Sequence, residues 1–139
     1  MNKSDKPVGI ITGGSRGVGA ATAKLLASKG WNVTITCTSS IEDANNIVKE
    51  CEGLGAEALA ISADVGDNEA CINTAKETIA KWGRIDALVN NAGTTKFVFN
   101  HGDLDGLDAD DFLRIYKINV VGPFQMVRAC RESLLDSDN

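Results

Sequence analysis

The chain has 139 residues, of which 43% are hydrophobic and 24% are charged, and its formal net charge is −5. This length and composition predict one globular domain that is large enough to bury a core. The acidic balance and the absence of a basic cluster argue against nucleic acid or an anionic membrane as the main partner. No apolar run approaches the roughly 20 residues of a membrane span, and the polar N-terminus lacks a signal core, so we expect a cytoplasmic protein.

A glycine-rich turn near the N-terminus is the strongest local signal. An apolar run predicts a strand over Val8–Thr12, and a helical pattern follows the turn Thr12-Gly13-Gly14-Ser15-Arg16-Gly17-Val18-Gly19. A strand, a glycine-rich turn and a helix together aim backbone N–H groups at a phosphate, and the helix N-terminus adds partial positive charge. We interpret the turn as the site of a dinucleotide's pyrophosphate. The alternative is a turn that only joins a strand to a helix.

Three further strands are predicted, over Trp31–Cys37, Glu57–Ala63 and Ile85–Val89. The helices between them are long enough to require parallel pairing with right-handed crossovers. The sequence therefore predicts an α/β fold with a doubly wound, Rossmann-like parallel sheet, in which ligands bind at the carboxyl ends of the strands.

The helices between these strands have recognisable ends and faces. The second is predicted to begin at a capping box over Ser39–Glu42, and the third is predicted to be capped by Asp67 and to end at Gly83. The predicted inward face of the first helix consists of Val18, Ala21, Thr22, Leu25 and Leu26. The predicted inward face of the third helix consists of Ile72, Ala75, Ile79 and Trp82.

Residues Thr94–Asp110 are predicted to form a polar loop on the substrate side of the sheet. It contains His101, the only histidine, and the aromatic residues Phe97 and Phe99, to which we assign no role. A helical pattern then runs from Asp108 to Leu134, and Gly122-Pro123 should bend or break it.

Four cysteines are spread along the chain without C-x-x-C spacing, at Cys37, Cys51, Cys71 and Cys130. They predict neither a zinc ribbon nor a dithiol redox centre. We expect no metal site, and we expect these thiols to be reduced and mostly buried.

The order of four short motifs resembles the short-chain dehydrogenase/reductase family. They are the pattern T-G-x-x-x-G-x-G at residues 12–19, Asp64-Val65, Asn90-Asn91-Ala92-Gly93 and Asn119. The resemblance covers nearly the whole chain but only the N-terminal half of the family's fold. In ordinary terms, the same residues are a loop aspartate, an Asn/Gly turn and a solvent-facing asparagine.

The resemblance implies a role for each motif. Asp64 contacts the adenine with help from the backbone of Val65, and the small residues and amides of Asn91, Ala92 and Gly93 form a wall beside the cofactor. Asn119 is the implied catalytic-class residue, which holds a helix distortion open so that a water can serve a proton relay. The expected cofactor contacts are Thr12, Gly13, Ser15, Arg16, Gly17, Val18, Gly19, Thr38, Ser39, Asp64, Val65, Asn91, Ala92 and Gly93.

The end of the second strand favours NADP over NAD. An NAD site usually offers a carboxylate there to the ribose hydroxyls, whereas this chain has Thr38 and Ser39 and no acid. We interpret Glu42 as the partner in the capping box. Arg16 stands where NADP-preferring members of the family place a basic residue, and it would pair with a 2′-phosphate together with the two hydroxyls. The alternative for Arg16 is a solvated surface charge.

The family's catalytic pair, a Tyr followed four residues later by a Lys, is absent. The single tyrosine, Tyr116, is followed at that spacing by Val120, and it precedes Asn119 rather than following it. We therefore expect residues 1–139 to be one NADP-binding Rossmann domain that is incomplete at its C-terminus, with the sheet truncated after the fourth strand and the long helix. We expect the chain alone to be marginally folded and inactive.

The implied function is NADP-dependent hydride transfer between NADPH and a small-molecule carbonyl or alcohol substrate, most like the ketoacyl-reductase group. The implied full-length form is a homo-oligomer. Two alternatives remain: a non-catalytic NADP-binding module, and an interaction protein that associates through the long helix, which packs between subunits in the family.

Overall fold

Four parallel strands form one sheet in the computed structural model, which describes residues 3–137. The order across the sheet is β3-β2-β1-β4, with Gly9 paired to Ala87 and Ile10 to Thr34. The predicted doubly wound parallel sheet is therefore confirmed. The strands are β1 (Val8–Ile11), β2 (Asn32–Cys37), β3 (Ala58–Ser62) and β4 (Ala87–Val89).

Helices follow every strand. The five α-helices are α1 (Gly17–Ser28), α2 (Ile41–Gly53), α3 (Asn68–Trp82), α4 (Ala109–Tyr116) and α5 (Gly122–Leu135). A short 3₁₀ turn lies at Leu104–Gly106, and a π-helical turn over Lys117–Val121 joins α4 to α5. Within residues 3–137 no helix is both long and apolar enough to cross a membrane.

Adjacent residues of β1 face opposite layers of the molecule. Ile10 packs in a cluster with Ala75 of α3 and Met126 of α5, whereas Ile11 packs in a cluster with Ala23 of α1 and Ala44 of α2. Helices therefore cover both faces of the sheet, as parallel strands that are buried on both sides require. At the edge, β4 pairs with β1 and has no second partner strand within the described residues.

The predicted inward face of α1 is wrong for Val18, Ala21 and Leu25, whereas Leu26 packs against the core as predicted. Val18 and Leu25 are 75% and 59% exposed, and the buried positions hold small residues: Gly19, Ala20, Ala23 and Ala27. Most of the inner face consists of small residues that let the helix approach the sheet closely, and Leu26 is the larger side chain that packs there, against β1. Hydrophobicity alone therefore predicts only part of the buried face of this helix.

Hydroxyl groups occupy part of the predicted apolar face of α3. Thr74 and Thr78 are fully buried, whereas Ile79 is 37% exposed. The Thr78 hydroxyl lies 2.9 Å from that of Thr34 in β2, and it also donates to the Thr74 carbonyl at 2.8 Å. Because a buried hydroxyl needs a partner, Thr34 favours a threonine opposite it.

The helix ends are partly as predicted. Asp67 caps α3 by accepting from the Glu69 N–H, and Gly83 ends that helix with a φ of 72°. At α2 the capping box is wrong: Ser40 is the cap, it accepts from the Asp43 N–H, and Glu42 has no part in the cap. Glu42 therefore loses its predicted structural role.

The long C-terminal helix is distorted rather than broken near Pro123. The π-helical turn ends directly before Gly122, and α5 continues from there with the proline in its first turn. Proline has no N–H to offer the carbonyl of residue 119, so the regular hydrogen-bond ladder is already interrupted at this point. A Cβ at Gly122 would lie 2.6 Å from the Val65 side chain, so the helix crosses the end of β3 in close contact.

A buried ion pair ties the start of β1 to β4. The Asp86 carboxylate accepts from Arg84 at 2.6 and 2.7 Å, from the Val8 N–H at 2.7 Å and from Ser137 at 2.9 Å. Its side chain is 0% exposed. Burial by itself would raise the pKa of Asp86, but the hydrogen bonds from Arg84, Val8 and Ser137 outweigh it and hold the pKa below its ordinary value.

Asp86→Asn should lower the free energy of unfolding at pH 7 by about 3 kcal/mol, because the buried negative charge that accepts from Arg84 and from the Val8 N–H is removed. Since the folded pKa of Asp86 is lowered, its stabilisation is complete above about pH 5, begins to fall near the unfolded pKa of about 4, and is lost once the pH drops below the lowered folded pKa. Urea titrations between pH 7 and pH 3 should show a smaller loss of stability on acidification in the variant than in the wild type. The exposed Glu132→Gln should change stability by less than about 0.5 kcal/mol. If Asp86→Asn and wild type lost stability equally on acidification, the assignment of this acid-sensitive stabilisation to Asp86 would be contradicted.

Candidate functional site

A cavity of 460 Å³ opens at the carboxyl ends of all four strands. The loops after β1 and β2 form one part of its wall, and the ends of β3 and β4 together with α4 form the rest. The lining residues are Gly13, Ser15, Arg16, Thr36, Cys37, Thr38, Ser39, Ala63, Asp64, Val65, Asn91, Ala92, Gly93, Thr94, Arg114 and Ile118.

Backbone conformation and β2 together shape the glycine turn. Gly13 and Gly17 have φ values of 64° and 56°, which residues with a side chain rarely adopt. The Gly13 N–H donates to the Thr36 hydroxyl at 3.1 Å, and the Gly14 N–H donates to the Thr36 carbonyl at 2.9 Å. The turn is thus fixed against the end of β2.

The helix that follows this turn begins without a side-chain cap. Arg16 is its N-cap and makes no capping hydrogen bond, and no acidic residue lies in the first turn. In contrast, α2, α3 and α4 are capped by Ser40, Asp67 and Asp108. The first N–H groups of α1 therefore lack an intrahelical or capping acceptor, which suits them to an anion.

A clasp of hydrogen bonds joins the turn after β1 to the loop after β4. The Thr12 hydroxyl accepts from the N–H groups of Asn91 and Ala92 at 3.1 and 3.0 Å. In return, Asn91 Nδ2 donates to the carbonyls of Thr12 and Gly13, both at 3.0 Å. Thr12 is 1% exposed, so it shapes the cavity from behind rather than lining it.

Gly19 allows α1 to approach this clasp. A Cβ at this position would lie 2.3 Å from the Gly13 carbonyl oxygen and 2.5 Å from Asn91 Nδ2. Gly19 is thus required for packing and, like Gly17, does not line the cavity. The exposed Val18 does not line it either.

Charges around the cavity are few. Among the described residues, the charged ones in its lining are Arg16, Asp64 and Arg114, and no carboxylate follows β2 at Thr38 and Ser39. Asp64 Oδ1 accepts from the Gly66 N–H at 2.8 Å. The loops after β1 and β2 thus contribute a cation and hydroxyl groups to the wall, and the one carboxylate of the lining follows β3.

Asn119 lies in the π-helical turn and forms two hydrogen bonds with the segment after β4. Its Oδ1 accepts from the Thr94 N–H, and its Nδ2 donates to the Thr94 carbonyl, both at 2.8 Å. Both groups of the side-chain amide are therefore used. Asn119 adjoins the cavity through Thr94 and Ile118 and does not itself line it.

The structure brings ten of the predicted site residues to the cavity wall. They are Gly13, Ser15, Arg16, Thr38, Ser39, Asp64, Val65, Asn91, Ala92 and Gly93. Sequence reasoning missed six lining residues: Thr36, Cys37, Ala63, Thr94, Arg114 and Ile118. Three of these, Cys37, Ala63 and Thr94, directly adjoin predicted residues, Thr36 lies one residue further into β2, and the spacing of four puts Arg114 and Ile118 on one helix face.

The thiols are poor nucleophiles at neutral pH. All four cysteines are buried, as predicted. Burial raises the pKa of Cys71 to about 11 and that of Cys130 to about 12. Burial also raises the pKa of Cys37, the one thiol in the cavity wall. No group of three metal-ligating side chains occurs within residues 3–137.

The first residues of the loop between β4 and α4 are bonded to α4, and the phenylalanines that follow them are exposed. Arg114 donates to the Thr94 hydroxyl at 2.8 Å, and Lys96 pairs with Asp111 at 2.5 Å. Phe97 and Phe99 are 72% and 92% exposed and meet edge to face, and neither lines the cavity.

Known proteins are similar to this chain in sequence and in fold. A family model described as short chain dehydrogenase matches residues 7–139. Versicolorin reductase 1 of Aspergillus parasiticus is 35% identical over 127 residues, which are 91% of this chain and 47% of that protein. The chain spans about half the length of the curated relatives it matches.

Two solved structures are similar throughout the chain. A protein described as a short-chain dehydrogenase/reductase from Burkholderia xenovorans has a TM-score of 0.93 and 37% identity, over 99% of this chain and 56% of that one. A short chain dehydrogenase from Burkholderia cenocepacia J2315, solved in complex with NADP, has a TM-score of 0.82 and 40% identity, over 94% of this chain and 51% of that one.

Gly19→Ala should lower the free energy of unfolding by about 2 kcal/mol, because the new methyl group must displace the Gly13 carbonyl or the Asn91 amide. Urea denaturation measures the loss, and amide chemical shifts of Gly13 and Asn91 locate it. Gly53→Ala is the matched control, since a Cβ there meets no atom within 4 Å. That variant should leave stability unchanged or raise it by up to about 1 kcal/mol. A Gly19→Ala protein as stable as wild type would show that the close approach is not needed.

Proposed function

The chain belongs to the short-chain dehydrogenase/reductase family, and on that premise we propose that it is the NADP-binding half of a cytoplasmic oxidoreductase. The reaction is hydride transfer between NADPH and a small-molecule carbonyl or alcohol substrate. The observation that supports this most directly is the uncapped N-terminus of α1 at the wall of a cavity that four strand ends form. A pyrophosphate supplies the acceptors that the first turn of this helix lacks.

The charges around the cavity support NADP rather than NAD. Arg16 offers a cation, and Thr38 and Ser39 offer hydroxyl donors, to a 2′-phosphate. Glu42, the nearest acid after β2 in the sequence, is exposed and does not line the cavity. A 2′-phosphate therefore meets no carboxylate at this end, whereas the ribose hydroxyls of NAD find none to bind.

Every predicted residue except the exposed Val18 has one of two roles in this proposal. Most line the cavity and bind the cofactor: Gly13 and Ser15 bind the pyrophosphate, Arg16 binds the 2′-phosphate, and Asp64 with Val65 binds the base. Thr12, Gly17 and Gly19 hold the turn in the required shape, and Asn119 fixes Thr94 and thereby the wall beside the cofactor.

NADPH supplies the hydride when it is bound, and the residues of this chain bind and orient the dinucleotide. The proton that the reduced carbonyl requires has no donor here, because no Tyr-x-x-x-Lys occurs in the 139 residues. We therefore propose that this chain binds the cofactor without turnover. Rapid oxidation of NADPH by the purified chain with a carbonyl substrate would contradict this part.

Arg16→Gln should weaken NADPH binding by about tenfold, because a charge-assisted hydrogen bond to the 2′-phosphate is lost. NADH binding should change by less than about twofold. Titration calorimetry with both dinucleotides measures the two dissociation constants, and Lys29→Gln, at the other end of α1, is the control for net charge. Equal losses for NADPH and NADH would exclude the assigned role of Arg16, and wild-type protein that binds neither dinucleotide would refute the proposed function.

An exposed apolar stripe supports self-association. It consists of Phe112, Leu113, Tyr116, Val120, Phe124 and Val127, which recur at helical spacing along α4, the π turn and α5 and are 48% to 67% exposed. Contiguous apolar patches of this kind mark interaction sites. We propose that the stripe mediates homo-oligomerisation, which also serves the alternative function of a helix-mediated interaction protein.

Phe124→Glu should weaken self-association by at least about tenfold, because a charge then enters the apolar stripe. Sedimentation equilibrium measures the dimer dissociation constant. Lys76→Glu, on the exposed side of α3, is the control.

Gly17→Val separates cofactor binding from self-association, since a β-branched residue cannot adopt a φ of 56° without strain. It should abolish cofactor binding and leave association unchanged. The wild-type chain should be measured at 100 times the concentration used for cofactor titration, that is, at a chain concentration on the order of 1 mM. A chain that stays monomeric at this higher concentration would refute the role of the stripe.

A further inference from the structure

Arg114 is a cation in the cavity wall for which the sequence predicts no role. It lies on the same face of the helix as Ile118, one turn away, and both residues line the cavity. Its guanidinium donates to the Thr94 hydroxyl at 2.8 Å and to the Thr95 carbonyl at 3.4 Å. The side chain is thus held beside the segment after β4.

The cavity wall also includes Ala63, Asp64 and Val65, which follow β3, and this segment is fixed to α5. Gln125 Nε2 donates to the Val65 carbonyl at 2.8 Å, and Gly122 contacts the Val65 side chain. Asn119 adds two bonds from the π turn to Thr94. The segment after β3 and the segment after β4 are therefore both fixed to the same helical unit that carries Arg114.

The two halves of the cavity differ in chemistry. The loops after β1 and β2 contribute Gly13, Ser15, Arg16, Thr38 and Ser39, which suit phosphate groups. The other half contributes the apolar residues Ala63, Val65, Ala92 and Ile118 together with Asp64. Apolar walls favour a flat ring, and Arg114 shares its helix face with the apolar Ile118, so it lies on the part of the wall that suits a base.

We propose that Arg114 stacks its guanidinium on the purine base of the bound dinucleotide. This deepens the proposed function and rests on it. A planar, weakly hydrated guanidinium is suited to an aromatic face, and the bonds to Thr94 and Thr95 orient it in advance. Arg114 thereby contributes affinity for the base, whereas Arg16 selects the 2′-phosphate.

The test compares Arg114→Ala and Arg114→Lys with wild type by titration calorimetry of the full chain. Both variants should weaken NADPH and NADH by the same factor, about three- to thirtyfold. Adenosine 2′,5′-bisphosphate should lose the same factor, and nicotinamide mononucleotide, which lacks the purine, should lose none. Lysine keeps the charge and the stem but not the plane, so it should not restore affinity. Arg131→Ala, an exposed arginine paired with Glu132 on the surface, is the control.

Three results would overturn the inference. Full rescue by lysine, with a loss that shrinks at high salt, would assign Arg114 to a phosphate. Unchanged affinity of both variants for adenosine 2′,5′-bisphosphate would remove Arg114 from the site while leaving the proposed function intact. Wild-type protein that binds no dinucleotide would refute both. Thr94→Val, which removes the hydroxyl that orients the guanidinium, should give a smaller loss in the same pattern as Arg114→Ala.

Discussion

The clasp between Thr12 and Asn91 is the contact on which the rest of the site depends. One buried hydroxyl accepts two backbone N–H groups, and one side-chain amide bonds two carbonyls in return. These bonds join the loops after β1 and β4, which are far apart in sequence and adjacent in the sheet. Because buried polar groups must be satisfied, neither loop can move without breaking several bonds at once. The glycine turn is therefore positioned by its neighbours as much as by its own conformation.

A second constraint acts from the helical side. The α4–α5 segment contacts the end of β3 through Gly122 and Gln125, and it grips the segment after β4 through Asn119. The π turn makes this possible, because an extra residue in the helix turns Asn119 toward Thr94 while α5 still packs on the core. The same helical unit thus closes the cavity on one side and presents an apolar stripe to solvent on the other.

Much of this architecture follows from local sequence rules, and the exceptions have physical causes. The strands, the glycine turn and the Asp67 cap follow from periodicity and residue type. Apart from Leu26, the buried face of α1 could not be found in this way, because close packing favours glycine and alanine over the larger leucine and valine. The capping box failed by one residue because two adjacent serines offer the same signal. Thr78 depends on Thr34, and Arg114 depends on a contact with Thr94; both require knowledge of which elements meet.

The uncapped start of α1 connects the proposed binding of a dinucleotide to the stability of the folded chain. Three of the other helices carry their own caps, whereas the first N–H groups of α1 have no such acceptor at the place where we propose that the dinucleotide binds. An anion that completes the first turn binds the folded chain and not the unfolded one, and the folded population then rises with the concentration of that anion. A cell that is short of the dinucleotide would hold more of this chain open to proteolysis, and its abundance would follow the supply of cofactor.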